Sequence, residues 1–194
     1  GRLKTSFLAK SSSFTTTNQM PQTMKIGFIL AILLILASCT PREEISSIDP
    51  VNWEKRMIEI PNPDSLASGT TYLSVYSQIY SQTEHRTHDL TATISLRNVN
   101  RKDMVYIEEA VYYDTHGTPI RNYFARPIFI APMETVEIVI DEVDREGGTG
   151  ANFLFDWRAP LTGNAPLFEA VMISTSGQQG LSFTTQGVRL GPKH

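Results

Sequence analysis

From residue 70 onward, apolar and polar positions alternate in short runs separated by turn-forming clusters, a period of two that predicts strands. Within Thr70 to Tyr80, Leu73, Val75 and Ile79 fall on one face, and Tyr72, Ser74, Tyr76, Gln78 and Tyr80 on the other. Asp89 to Val99 alternates as cleanly, with Leu90, Ala92, Ile94 and Leu96 inward. Val105 to Asp114 is the next strand, where Glu108-Glu109 marks a bulge. Asp114-Thr115-His116-Gly117 is a hairpin turn, because Gly takes a positive φ freely and Asp can accept from its own backbone. Ile120 to Phe129 is a strand broken at Pro127, which places it at an edge or at a switch between sheets. Val136, Ile138 and Ile140 alternate, Glu146 to Gly150 turns, and Phe153, Phe155 and Trp157 line one face. Leu167 to Ile173 is nearly all apolar, as a strand buried on both sides would be, and Leu181, Phe183 and Thr185 close the pattern.

Eight or nine short strands with no helical period after residue 65 predict an all-β sandwich over residues 70–190. The order of devices is similar to an immunoglobulin/fibronectin III-like β-sandwich of about 7–9 strands. An alternating strand ends in Arg97-Asn98, a D-x-x-G hairpin follows, and Ala131-Pro132-Met133-Glu134 turns into another strand. A jelly roll or a small barrel meets the same pattern.

The N-terminal region has a different character. From Met24, Lys25 precedes twelve apolar or Gly residues, Ile26 to Ala37. As a helix these span roughly 18 Å, short of a hydrocarbon core of about 30 Å. A signal-peptide h-region fits better than a membrane span. The run ends in Leu36-Ala37-Ser38-Cys39, which resembles the lipobox of bacterial lipoproteins: an aliphatic residue, two small ones, then the cysteine that takes the lipid and becomes the new N-terminus. The resemblance implies a signal peptide at 24–38, lipidation of Cys39 and stable attachment to a membrane through several acyl chains. Residues 1–23, Ser/Thr-rich and basic, are expected to be an over-called start. Residues 39–69, with Pro41, Pro50, Pro61 and Pro63, are expected to form a lipidated tether and linker, with one short strand or helical turn around Trp53.

Composition and charge narrow the partners. Residues 1–38 hold four of the 17 Lys and Arg and none of the 20 Asp and Glu, so 13 basic face 20 acidic residues from Cys39 onward, near −7. Nucleic-acid affinity rests on clustered Lys and Arg, so nucleic acid is set aside. Cys39 is the only cysteine, which excludes an intramolecular disulfide and a Cys-cluster zinc site. The expected location is the bacterial cell envelope, at the outer membrane, on its periplasmic or surface face.

The region from Gly69 to Gly187 also resembles an uncharacterised family of bacterial lipoproteins, catalogued as domain of unknown function 3124. The matching residues include Tyr72-x-x-Val75-Tyr76-Ser77-x-Ile79-Tyr80, Leu90-Thr91-Ala92-Thr93-x-Ser95-x-Arg97-Asn98 and Tyr112-Tyr113-Asp114. They continue through Gly147-Gly148-x-Gly150-Ala151-Asn152-Phe153, Trp157, Glu169-Ala170-Val171-Met172 and Gly180-x-Ser182-Phe183. The resemblance implies a lipoprotein context and no activity.

Candidate chemistry is sparse. Tyr72, Tyr76 and Tyr80 would form an aromatic stripe suited to an envelope protein or a glycan, with Asn152 beside the glycines as a further contact. The same tyrosines could pack under the linker. His85 and His88, among Glu84 and Asp89, carry metal-ligand donors, as do Asp141 and Asp144 ahead of Gly147-Gly148. Neither set has an established metal-loop spacing, and solvated turns are the plainer reading of both. There is no G-x-S-x-G elbow. The sequence therefore points to a lipid-anchored binding or structural module without a cofactor. A metal-dependent periplasmic enzyme or a small-ligand carrier is the alternative.

Overall fold

The structure, a computed structural model, describes residues 51–175 and 180–191. The signal peptide at 24–38, Cys39, the segment 1–23 and the tether up to residue 50 lie outside the described residues. Twelve strands carry the fold: β1 (Leu66–Val75), β2 (Gln78–Ser81), β3 (Thr83–Asp89), β4 (Thr91–Arg97), β5 (Val105–Tyr113), β6 (Pro119–Asn122), β7 (Ile128–Ile130), β8 (Thr135–Ile140), β9 (Ala151–Pro160), β10 (Leu167–Ser174), β11 (Leu181–Gln186) and β12 (Val188–Arg189). All pairings between them are antiparallel.

The larger sheet runs in the order β12-β1-β9-β5-β6, with β7 also paired to β5. The smaller has the order β11-β10-β4-β8, and β2-β3 is a separate hairpin. Alternation decides which face is buried, since successive side chains point to opposite sides of a strand. On β9, Ala151, Phe153, Phe155, Trp157 and Ala159 are buried and the residues between them are half-buried. On β4, Ala92, Ile94 and Leu96 are buried opposite them. Aromatic rings join the two layers. Tyr112 stacks on Phe153 (4.8 Å), Phe153 on Phe155 (5.2 Å), and Phe155 on Phe168 of the smaller sheet (4.3 Å). The molecule is an all-β sandwich.

Local expectations met the structure in detail. The bulge falls where Glu108-Glu109 predicts it, with a register shift between Ile107 and Glu109. At the Asp114 turn, the Asp114 carboxylate accepts from the backbone of His116 (2.8 Å) and Thr118 (2.7 Å), and Gly117 has φ +80°. Pro127 separates β6 from β7, and both short strands line the same edge of β5.

Three expectations need correction. The strand predicted over Thr70 to Tyr80 is two: the chain leaves the larger sheet after Val75, and Ser77 is buried where its amide neighbours are bonded elsewhere. There Gln78 N–H donates to Gly148 O (3.1 Å) and Leu90 N–H to Ser77 O (2.9 Å). The apolar run Leu167 to Ile173 is buried on one side alone, for Val171 is 38% and Ile173 43% exposed. The third concerns the linker. The helical turn expected around Trp53 is present as a 3-10 turn at Trp53–Arg56, but the chain from Val51 packs on the sandwich through it and β1 begins earlier, at Leu66. Trp53 lies against Phe124 (5.5 Å), Ile58 N–H donates to Pro127 O (2.9 Å), and Arg56 grips Glu134 with two bonds of 2.7 and 3.1 Å.

Among the described residues no helix is long and apolar enough to cross a membrane.

Candidate functional site

The outer face of the larger sheet carries the candidate site. Because Phe153, Phe155 and Trp157 point inward, β9 sends Asn152, Leu154, Asp156 and Arg158 outward. Asp156 lies opposite Thr70 of β1 and Glu109 of β5, and Arg158 opposite Ser68 and Tyr106. Around them a groove of about 620 Å³ is lined by Ser68, Gly69, Thr70, Glu108, Asp156, Arg158, Arg189, Leu190 and Gly191.

Its charges are held in place. Arg158 Nε donates to Glu108 Oε1 (2.8 Å), and a second guanidinium nitrogen donates to Pro63 O (2.9 Å). Thr70 Oγ1 donates to Asp156 Oδ1 (2.5 Å). Arg189 reaches Ser68 O (3.2 Å) and spreads its guanidinium 4.9 Å from the centre of the Trp157 ring. Beneath this face Trp157 is buried, with its indole N–H on Thr71 Oγ1 (2.9 Å). The bulge at Glu108 directs this carboxylate toward Arg158, one recognised use of a bulge. The arrangement offers donors and acceptors of both signs to a polar segment laid across the strands. Among the described residues, no Ser, Cys or Lys nucleophile with a paired base lines it.

Next to the groove, Tyr72 sits between Val188 of β12 and Leu154 of β9, and Leu154 faces Val111 of β5. These four make an apolar row across the outer face. The other tyrosines do not continue it. Tyr76 turns edge-on to Phe183 at 5.8 Å and packs against the core, whereas Tyr80 is 61% exposed on the β2-β3 hairpin. The tyrosine stripe is therefore no single platform, for it assumed one unbroken strand. Asn152 stands on the same outer face, between Ser74 and Tyr113.

The metal candidates are also dispersed. His85 and His88 lie on β3 rather than in a loop, and they are three residues apart on an irregular strand. His85 is highly exposed, beside Glu84 at 3.3 Å. Asp141 accepts from Val143 N–H (3.0 Å), and Asp144 meets Arg121 (3.3 Å) and Glu146 N–H (3.2 Å). Both aspartates thus shape the loop before β9. Among the described residues no three His, Cys, Asp or Glu side chains come together as a metal site.

Two buried phenols and one ion-paired carboxylate have shifted ionisation. Burial raises the Tyr112 phenol far above its ordinary value, with the nearby Ser77 hydroxyl opposing slightly, and burial likewise raises Tyr123. The Arg56 hydrogen bonds hold Glu134 below the usual carboxylate value. As site residues, Glu108, Asp156, Arg158 and Arg189 were not legible in the sequence, which marked Glu108 only as part of a bulge. Alternation along β9 shows that Asp156 and Arg158 face outward, but only the strand order shows what stands beside them.

The comparisons name no activity. No curated protein matches. A crystal structure of Thermotoga maritima 1070 is similar at 9% identity with a TM-score of 0.41, covering 62% of this chain and 92% of that one. The family described as "Protein of unknown function (DUF3124)" matches residues 68–190, which run from the third residue of β1 past the end of β12. The chain belongs to that family.

Proposed function

We propose that this protein is a lipid-anchored binding module of the bacterial cell envelope, attached to the outer membrane through Cys39 and engaging an envelope protein or glycan with the outer face of its larger sheet. The observation that carries the reading is Leu36-Ala37-Ser38-Cys39 at the end of a twelve-residue apolar run, ahead of a β domain. Two or more acyl chains on one residue make attachment stable without a span. The groove supports the binding half, because its Arg158–Glu108 pair and the Asp156 carboxylate held by Thr70 offer charged partners to a polar ligand.

The metal-enzyme alternative draws no support from the positions of His85, His88, Asp141 and Asp144. For the ligand-carrier alternative, the interior between the sheets is occupied by the Phe153, Phe155 and Phe168 stack.

Mass spectrometry of the membrane fraction tests the anchor: a lipid-modified N-terminus at Cys39 is expected, and a free thiol there refutes it. Cross-linking in intact envelopes tests the face. Products formed by the wild type should be lost with Arg158→Ala and kept with His116→Ala, a change in the distant Asp114 turn. Equal products from both variants would count against the groove.

A further inference from the structure

We infer that the end of the sandwich where the chain arrives from Cys39 is itself a membrane-contacting surface, with Val99, Met104, Met133 and Leu161 reaching into a phospholipid layer. This rests on the anchoring proposed above and adds an orientation to it.

Three loops meet at that proximal end: residues 98–104 between β4 and β5, 131–134 between β7 and β8, and 161–166 between β9 and β10. Each has an apolar side chain in solvent. Leu161 is 71% exposed, Met133 65%, Met104 43% and Val99 39%. The loops are stiff. Buried Asn98 donates to Asp103 O (2.8 Å) and Ile130 O (3.0 Å). Buried Asn100 accepts from Asn164 N–H at its side-chain oxygen (2.7 Å) and from Met133 N–H at its carbonyl (3.1 Å). Asparagine side chains tie the 98–104 and 161–166 loops together, and backbone bonds from Met133 to Asn100 and from Asn98 to Glu134 add the 131–134 loop.

Met133 adds an independent observation. Ala131-Pro132-Met133-Glu134 is a tight turn closed by Glu134 N–H on Ala131 O (3.1 Å), and Met133 has φ +59°. Proline followed by a positive φ suits Gly or Asn at the third position. A long apolar residue held there in solvent is unfavourable in conformation and in hydration, a combination found where a side chain meets a partner.

A bilayer fits better than a protein. Separate tips on three loops suit insertion among headgroups better than they suit a flat interface. Exposed Arg101, Lys102 and Lys55 stand among them, against exposed Asp103, Glu54 and Asp64. The opposite end carries Asp141, Glu142, Asp144 and Glu146 in one loop and Asp114 in the next, against Arg121 and Arg145. An anionic surface repels that end and tolerates the proximal one. The tether acts in the same direction. From Cys39 to Val51 is twelve residue steps, at most roughly 40 Å when fully extended. Val51 lies in the segment that Arg56 fastens to Glu134, beside the 131–134 loop. The proximal end reaches the surface with slack chain. The distal end, a strand length of roughly 33 Å further away, needs nearly all of it.

The test uses the full chain, exported with its own signal and reconstituted into phosphatidylethanolamine–phosphatidylglycerol vesicles. Once Cys39 carries its lipid, a new cysteine is the only thiol. A polarity-sensitive fluorophore is placed at Met133→Cys or, as the distal control, at His116→Cys. We expect a blue shift, quenching by nitroxide lipid and protection from aqueous iodide at position 133, with the reverse at 116. Adding Leu161→Asp to the Met133→Cys chain should remove the blue shift while leaving thermal unfolding unchanged. Equal responses at the two positions, or lipid quenching at 116 alone, overturn the inference. So does a probe at 133 shielded from both quenchers, which marks a protein contact instead. The mass of the N-terminus is read in every sample. A lipidated Cys39 with a water-exposed probe at 133 sinks the orientation alone, whereas an unlipidated Cys39 sinks the anchoring and the orientation with it.

Discussion

Trp157 occupies space that another residue leaves empty. Gly69 lies opposite it on β1, and a Cβ there would fall 2.3 Å from the indole Cζ2. The ring is fixed on both sides by its bond to Thr71 and by the Arg189 guanidinium, so it has little freedom to yield. Gly69→Ala should therefore destabilise the domain by about 2 kcal/mol, the usual range for overpacking, measured by urea unfolding. Trp157→Phe with Gly69→Ala should recover part of that loss. Met133 predicts the opposite sign. Replacing it by Gly relieves the positive φ, so Met133→Gly should raise stability by about 1 kcal/mol. A loss of stability would show that Met133 packs on the fold rather than standing free. The inward positions on β9 were legible because alternation alone assigns Phe153, Phe155 and Trp157 to one side. The need for Gly at 69 was not, since it arises from its pairing with Trp157, far along the chain on β9.

At the scale of elements, short-range rules held and long-range ones were invisible. The Asp114 turn and the Glu108 bulge are encoded within a few residues, and both appear where the sequence puts them. The tyrosine stripe failed because an alternating pattern can pass through a strand break unchanged. Tyr76 and Tyr80 keep their parity with Tyr72 yet belong to different surroundings. The docking of the 3-10 turn was hidden for another reason, as Arg56 and Glu134 are 78 residues apart. That bond makes a pH prediction. Glu134 ionises below its ordinary value of 4.5 in the folded chain. Its stabilisation is complete above that value and is lost as the pH falls through the lower folded one. Glu134→Gln should cost about 1 kcal/mol at pH 7, the pair being partly exposed. The gap between variant and wild type should close as the pH falls through that lowered value, followed by thermal unfolding across the acid range. A gap of constant size would mean that the charge on Glu134 contributes nothing.

The whole molecule has a polarity that no single element shows. Apolar loop tips and the incoming chain gather at one end, acidic loops at the other, and the polar groove lies on the flank between them. A domain standing on its apolar end keeps the groove facing sideways, accessible to a partner in the same compartment. On the proposed anchoring, retention and orientation have separate sources, which can be weighed. Four partly exposed side chains gain on the order of 1 kcal/mol each on entering lipid. About 4 kcal/mol corresponds to a millimolar affinity, too weak to hold a protein on a membrane. Several acyl chains exceed that by a wide margin. Exporting the chain behind a cleavable signal that ends without a lipidated cysteine should release it to the soluble fraction, still folded. The lipidated chain with Met133→Asp and Leu161→Asp should stay on the membrane and lose its fixed orientation. Fractionation decides the first point, and protease access to the β2-β3 hairpin on vesicles reports the second. If the unlipidated chain remains on membranes at physiological salt, the loops or a partner hold it instead, and lipid on Cys39 is not what keeps it there.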